Sequence, residues 1–251
     1  MNFGHVSITG KVRSQNEDSI LAMISNETLE GTDESRFLGV VADGMGGGEH
    51  GEVASRIAVD TFRSISGQLI LSDRCNRNEG TELMRKSYER ANSEILNFAN
   101  AHNIRMMGTT ATSVFICGDN ATIGNIGDSR TYIFDSNGSL KFVTRDHSYV
   151  QELIDSHQIN GSEARTDPRR NQLTRSIGID EQCIPDFYNV KIRRGYYILL
   201  CSDGFWDAMS DNEIGRNLTN DIAVEQLVKN MASLANEKDG SDNISLLLII
   251  T

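Results

Sequence analysis

Six short apolar runs set most of what this chain can become: FLGVVA (37–42), TSVFICG (112–118), ATIGNIG (121–127), RTYIF (130–134), YYILLC (196–201) and ISLLLII (244–250). Each reads as a strand. Several follow one another across brief turns such as Gly118-Asp119-Asn120, which favours antiparallel pairing over a regular alternation of strand and helix. Helical periodicity is confined to three stretches. In residues 52–69, Val53, Ala54, Ile57, Ala58, Phe62 and Ile65 recur at three- and four-residue steps; residues 81–102 repeat this with Leu83, Met84, Tyr88, Ala91, Ile95, Phe98 and Ala99; residues 222–235 form the third. The expected fold is α+β, with strands in the middle and long helices outside. With only Pro168 and Pro185 and no Pro-rich linker, repeat or low-complexity tract, residues 1–251 are expected to form a single domain.

Acidic residues punctuate these runs. Asp43 follows FLGVVA, Asp203 follows YYILLCS, Asp242 precedes ISLLLII, and Glu17 with Asp18 precedes SILAMI, so all are expected at strand ends. A carboxylate at the edge of a buried strand is costly unless it is paired or binds a cation. Few lysines lie nearby, so the natural partner is a hard divalent cation held through oxygen, Mg²⁺ or Mn²⁺. The stretch VVADGMGGGEHGE (40–52) fits this: without a side chain Gly44 lets its own carbonyl approach a metal, and Gly46, Gly47 and Gly48 leave room for a substrate. Taken singly, each acid is an ordinary turn or helix-cap residue. Their joint placement is what points to a metal site.

Charge and cysteines exclude other classes. The 35 acids against 24 Lys plus Arg give a net charge of −11, with no basic run suited to nucleic acid. Cys75, Cys117, Cys183 and Cys201 are far apart with no C-x-x-C pair, and are expected as reduced thiols. The N-terminal MNFGHVSITGKVRSQNED lacks the apolar core of a signal peptide, and no apolar run is long enough to span a bilayer. The expectation is a cytoplasmic protein without membrane or nucleic-acid partners.

The residues also carry a family resemblance. Arg13-Ser14-Gln15-Asn16-Glu17-Asp18, Val41-Ala42-Asp43-Gly44-Met45-Gly46-Gly47, Gly108-Thr109-Thr110, Gly127-Asp128-Ser129-Arg130, Asp146-His147-Ser148, Leu173-Thr174-Arg175-Ser176-Ile177-Gly178, Ser202-Asp203-Gly204-Phe205-Trp206-Asp207 and Asp242-Asn243 occur in the order of the PPM-type (type 2C) metal-dependent Ser/Thr protein phosphatases. One such motif is weak; eight in order, across residues 4–250, are very specific. The chain resembles the compact bacterial form. The resemblance implies a four-layer α-β-β-α sandwich, two central antiparallel sheets flanked by helices. It also implies hydrolysis of phosphoserine and phosphothreonine on proteins by a hydroxide bridging two Mn²⁺ or Mg²⁺ ions. Asp43 would bridge the ions, about 4 Å apart, with the Gly44 carbonyl on one and Asp203 and Asp242 on the other; Glu17 and Asp18 would act mainly through bound waters. Arg13 would grip the phosphate, since a guanidinium fork matches two phosphoryl oxygens. Partners would be phosphorylated proteins, a cognate Ser/Thr kinase and its substrates, met by a monomeric enzyme.

Several assignments stay open. Asp128 resembles the family acid that holds a third, weaker ion, while its GDSR turn reads equally as a structural bend with Arg130 paired internally. Asp207 and Asp239 read as turn or supporting residues, Trp206 as core and His147 as a loop anchor. Residues 151–172 resemble the flap beside the family's active site. Many relatives have His where Met45 or Gly48 stands; here the nearby imidazole is His50, which leaves the general acid between His50 and a metal-bound water. A binding module on the same fold would have lost metal acids, and none is missing. A metal-dependent phosphodiesterase, which the same acids could serve, fits poorly with the net charge and the motif order.

Overall fold

The computed structural model describes residues 1–29, 32–46, 50–71, 77–219 and 221–251; Gly47, Gly48 and Cys75 lie outside them. In chain order the strands are β1 (Asn2–Ile8), β2 (Asp18–Leu29), β3 (Thr32–Gly46), β4 (Met107–Thr109), β5 (Ala111–Cys117), β6 (Asn120–Ile126), β7 (Arg130–Phe134), β8 (Leu140–Val143), β9 (Asp186–Lys191), β10 (Tyr197–Cys201) and β11 (Ile244–Ile250). The helices are α1 (Gly51–Ile65), α2 (Arg77–Ala101), α3 (Tyr149–Asp155), α4 (Gly161–Ala164), α5 (Asp203–Trp206), α6 (Asp211–Asn217) and α7 (Val224–Lys238).

The continuous apolar runs are strands buried on both faces. In β11, Ile244, Leu246 and Leu248 join a core shared with Leu227, Val228 and Met231 of α7, while Leu247 and Ile249 join a second core with Phe37, Val114 and Ile123. Strand β10 divides the same way, Leu199 to the first core and Ile198 with Leu200 to the second. The period-two alternation of a strand thus feeds two apolar layers at once, which is why no polar face shows in the sequence. A third core packs Leu38, Val40 and Ala42 of β3 against Ala54, Ala58 and Phe62 of α1 and Met84, Tyr88 and Ala91 of α2.

Two antiparallel sheets result, ordered β1-β11-β10-β7-β8 and β2-β3-β5-β6-β9, with β4 added to β3. Helices α1 and α2 cover one, α7 the other, and the second core lies between the sheets: the four expected layers. No helix among the described residues is long and apolar enough to cross a membrane.

Two expectations are corrected. Asp43 is not at a strand end, because β3 continues through Gly46, where it pairs with β4. Cys117 is disulfide-bonded rather than a reduced thiol, while Cys183 and Cys201 are free; separation along the chain does not report which thiols meet in space. The periodic stretch 52–69 ends as a helix at Ile65 and tightens into a 3-10 turn over Ser66–Ile70.

Candidate active site

Strand register builds the site. Asp18, the first residue of β2, lies directly opposite Asp43 of β3. From the other sheet, Asp203 opens α5 just beyond β10, and Asp242 precedes β11. Ser202 joins the two sheets: its hydroxyl donates to Asp18 Oδ2 at 2.9 Å and accepts from the Ser245 amide at 3.0 Å. Arg13, Glu17, Asp43, Gly44, Asp128, Asp203 and Asp242 all line one cavity of about 190 Å³, with Met45, Gly46, Thr110, Asn171 and Leu173. Asp18 stands behind it, within reach of Asp43.

The loop bearing Arg13 and Glu17 is fixed by Asn243, whose Oδ1 accepts from the Glu17 amide at 2.8 Å and whose Nδ2 donates to Thr9 O and Gln15 O, each at 2.9 Å. The packing around Gly44 leaves no room for a side chain. A Cβ there would overlap the Gly51 carbonyl and come within 2.7 Å of Glu17 O, so the start of α1 could not sit against β3. On the other flank the Asp43 amide donates to Thr110 Oγ1 at 3.0 Å, and that hydroxyl lies 2.7 Å from Ser129 Oγ, tying Asp43 to the turn of Asp128. Asn243, Thr110 and Ser202 lie in or beside the recognised motifs, but their roles depend on partners distant in sequence.

The electrostatics are those of a cation site. Burial first, then Asp18, Asp203, Asp128 and Asp242, push the Asp43 carboxyl well above the usual range. Burial, followed by Asp203 and Asp146, does the same to Asp128. Asp203 rises to about 7 and Asp18 to about 6, each chiefly through burial. Asp18 Oδ1 and Asp203 Oδ1 are buried without a hydrogen-bond partner. Among the described residues no three of these side chains are already closed around a common point; the donors line one cavity with oxygens to spare. An all-oxygen, acid-rich set with unpartnered atoms fits hard divalent cations.

Arg13 is half exposed and donates to Asp242 Oδ2 at 2.7 Å, at the mouth of this cavity. The structural reading of the GDSR turn is seen directly: Arg130 is paired internally, its Nε and Nη2 on Asp146 at 2.8 and 2.6 Å, and Asp128 itself lines the cavity. Trp206 is only partly buried; its Nε1 donates to Asp128 O at 2.9 Å and Arg130 stacks over its ring at 3.5 Å. Asp207 is 3.8 Å from Arg170, and Asp239 ends α7 and accepts from Ser241. His50 is the N-cap of α1, without a side-chain capping bond. The 151–172 segment, bearing α3 and α4, borders the site through Asn171.

The family pattern described as Protein phosphatase 2C matches residues 4–244. The serine/threonine phosphatase stp of Listeria monocytogenes is 31% identical over 245 residues, covering 96% of this chain and 92% of that protein. The solved structure of the Streptococcus agalactiae serine/threonine phosphatase superposes with a TM-score of 0.87 at 30% identity, over 100% of this chain and 99% of that one. The catalytic domain of the serine threonine protein phosphatase PstP, solved in complex with two manganese ions, gives 0.82 at 28% identity, over 98% and 96%.

Proposed function

This chain belongs to the protein phosphatase 2C family, and on that premise we propose how its residues divide the work of dephosphorylation. The enzyme is a protein serine/threonine phosphatase of a metal-dependent family, acting on phosphorylated proteins. In our reading Asp43, the Gly44 carbonyl, Asp203 and Asp242 hold two Mn²⁺ or Mg²⁺ ions, Glu17 and Asp18 support them through water, and Asp128 contributes to a third, weaker site. Bound there, the cations supply positive charge to the phosphoryl oxygens and acidify water enough to make hydroxide available near neutral pH. Arg13, half exposed and with donors to spare beside its bond to Asp242, orients the phosphate at the mouth. Thr110 and Asn243 hold the backbone of Asp43 and Glu17, so that the acids keep their places as substrate enters. We further propose a monomeric, cytoplasmic single catalytic domain, working opposite a Ser/Thr kinase on that kinase's substrates.

The observation that carries the metal reading is the pair of buried, unpartnered oxygens, Asp203 Oδ1 at the cavity and Asp18 Oδ1 behind it, among acids that repel one another. The test is phosphate release from a phosphoserine peptide with Mn²⁺ or with EDTA, for the parent, Asp43→Asn and Asp242→Asn. Activity should require the metal and fall by about three orders of magnitude or more in each variant, with circular dichroism unchanged. Undiminished turnover in EDTA would end the reading, and preferred cleavage of a phosphodiester would replace it with the phosphodiesterase alternative.

A further inference from the structure

Behind the active site, His147 is fully buried, and its ring occupies the junction of three segments. The Gly127 amide donates to His147 Nδ1 at 3.2 Å, while the His147 amide donates to Gly127 O at 2.9 Å. A backbone N–H can only donate, so Nδ1 is unprotonated and Nε2 carries the hydrogen. That hydrogen is directed to Asp186 Oδ2 of β9, 3.1 Å away. Asp186 in turn accepts from Arg175 at 3.0 Å, and the Thr174 amide donates to His147 O at 2.9 Å. The neutral imidazole thus holds the Gly127 amide and ties it to β9, while the His147 backbone holds the Gly127 carbonyl and the end of the segment that borders the cavity.

Gly127 immediately precedes Asp128, and the turn has little freedom elsewhere. Gly127 has φ +96°, and a Cβ there would meet Thr110 Cβ at 2.6 Å. On its far side the turn is held by Trp206 Nε1 on Asp128 O and by Arg130 on Asp146. His147 is the clamp on the near side.

We propose that His147 is a positioning residue for this reaction: through Gly127 it sets where the Asp128 carboxylate stands in the cavity. It contacts neither substrate nor reacting atoms. The proposal deepens the assignment of Asp128 to a metal and rests on it, so its test separates the two. Asn places its amide oxygen where Nδ1 stands and can still accept from Gly127, whereas Gln places its amide nitrogen where Nε2 stands and can reach only Asp186.

The experiment is a Mn²⁺ titration, followed by calorimetry and by turnover of phosphoserine peptide, on His147→Ala, His147→Asn, His147→Gln, Asp128→Ala and the double variant His147→Ala with Asp128→Ala. His147→Ala and His147→Gln should move the weakest Mn²⁺ event to roughly tenfold higher concentration or beyond, as loss of outer-shell support does. His147→Asn should restore it. The double variant should behave as Asp128→Ala alone, since both changes act on one carboxylate. Additive effects, or rescue by Gln rather than Asn, overturn the proposal. If Asp128→Ala itself leaves the titration unchanged, the metal role of Asp128 falls. Nitrogen-15 spectra then decide the clamp: a His147 ring protonated at Nε2 alone, with a Gly127 amide that exchanges faster in His147→Ala but not in His147→Asn, upholds it. A ring protonated at Nδ1 overturns it.

Discussion

Asp203→Asn should make the metal-free enzyme more stable and the metal-loaded enzyme less stable. In the folded protein, burial first and then Asp242, Asp18 and Asp207 raise the Asp203 carboxyl from 3.8 to about 7; in the unfolded chain it stays near the usual value of about 3.9. Between those two values the folded state binds a proton that the unfolded state has released, so this residue's contribution declines as pH rises from about 4 to about 7, and the loss is complete above that. At about 1.4 kcal/mol per unit the span has a ceiling of about 4 kcal/mol. Because the neighbouring carboxyls share protons, about half of that is a reasonable magnitude. Asparagine has the same shape and no charge, so at about pH 8 in EDTA the variant should exceed the parent by about 1–2 kcal/mol, or roughly 2–8 °C in Tm for a chain of this size. Saturating Mn²⁺ should reverse the order: at a hundredfold excess over Kd the parent gains about 2.7 kcal/mol, and the variant, lacking a ligand, much less. Differential scanning calorimetry in EDTA and in Mn²⁺, at about pH 5 and about pH 8, reads all four cases. A variant that melts below the parent in EDTA at the higher pH, or that gains as much from Mn²⁺, would refute the reasoning.

Arg13→Ala should raise KM for phosphopeptide by roughly tenfold or more, because a charge-assisted contact to phosphate is worth about 1.5–3 kcal/mol; steady-state kinetics showing an unchanged KM would return Arg13 to its pairing with Asp242 alone. Gly44→Ala must displace the start of α1 from β3, and should lower stability by about 2 kcal/mol or more as well as activity; a parent-like melting curve contradicts the close approach. His50→Ala, assayed on phosphoserine peptide and on p-nitrophenyl phosphate, should slow only the first, by about tenfold, if the imidazole protonates the basic serine leaving group. Equal rates on both substrates would assign that proton to water.

The sequence alone determined the strands of β7 and β11 to the residue, the three long helices, the antiparallel layers and the acids of the cavity. These are written in local periodicity and in short motifs, because a side chain's face of a strand or helix follows from its spacing. Arg13, Glu17, Asp43, Gly44, Asp128, Asp203 and Asp242 all stand in short sequence motifs, and the structure brings them to one cavity. Short edge strands such as β8 and β9 left little periodicity to read, since edge strands bury only part of one face. What only the tertiary structure decided is how the acids are held: the register that sets Asp18 opposite Asp43, the Asn243 staple to residues 9–17, the bonded state of Cys117 and the clamp of His147 on Gly127. Each joins residues far apart along the chain, and hydrogen bonds, steric fit and carboxylate repulsion depend on distances that spacing in sequence does not specify.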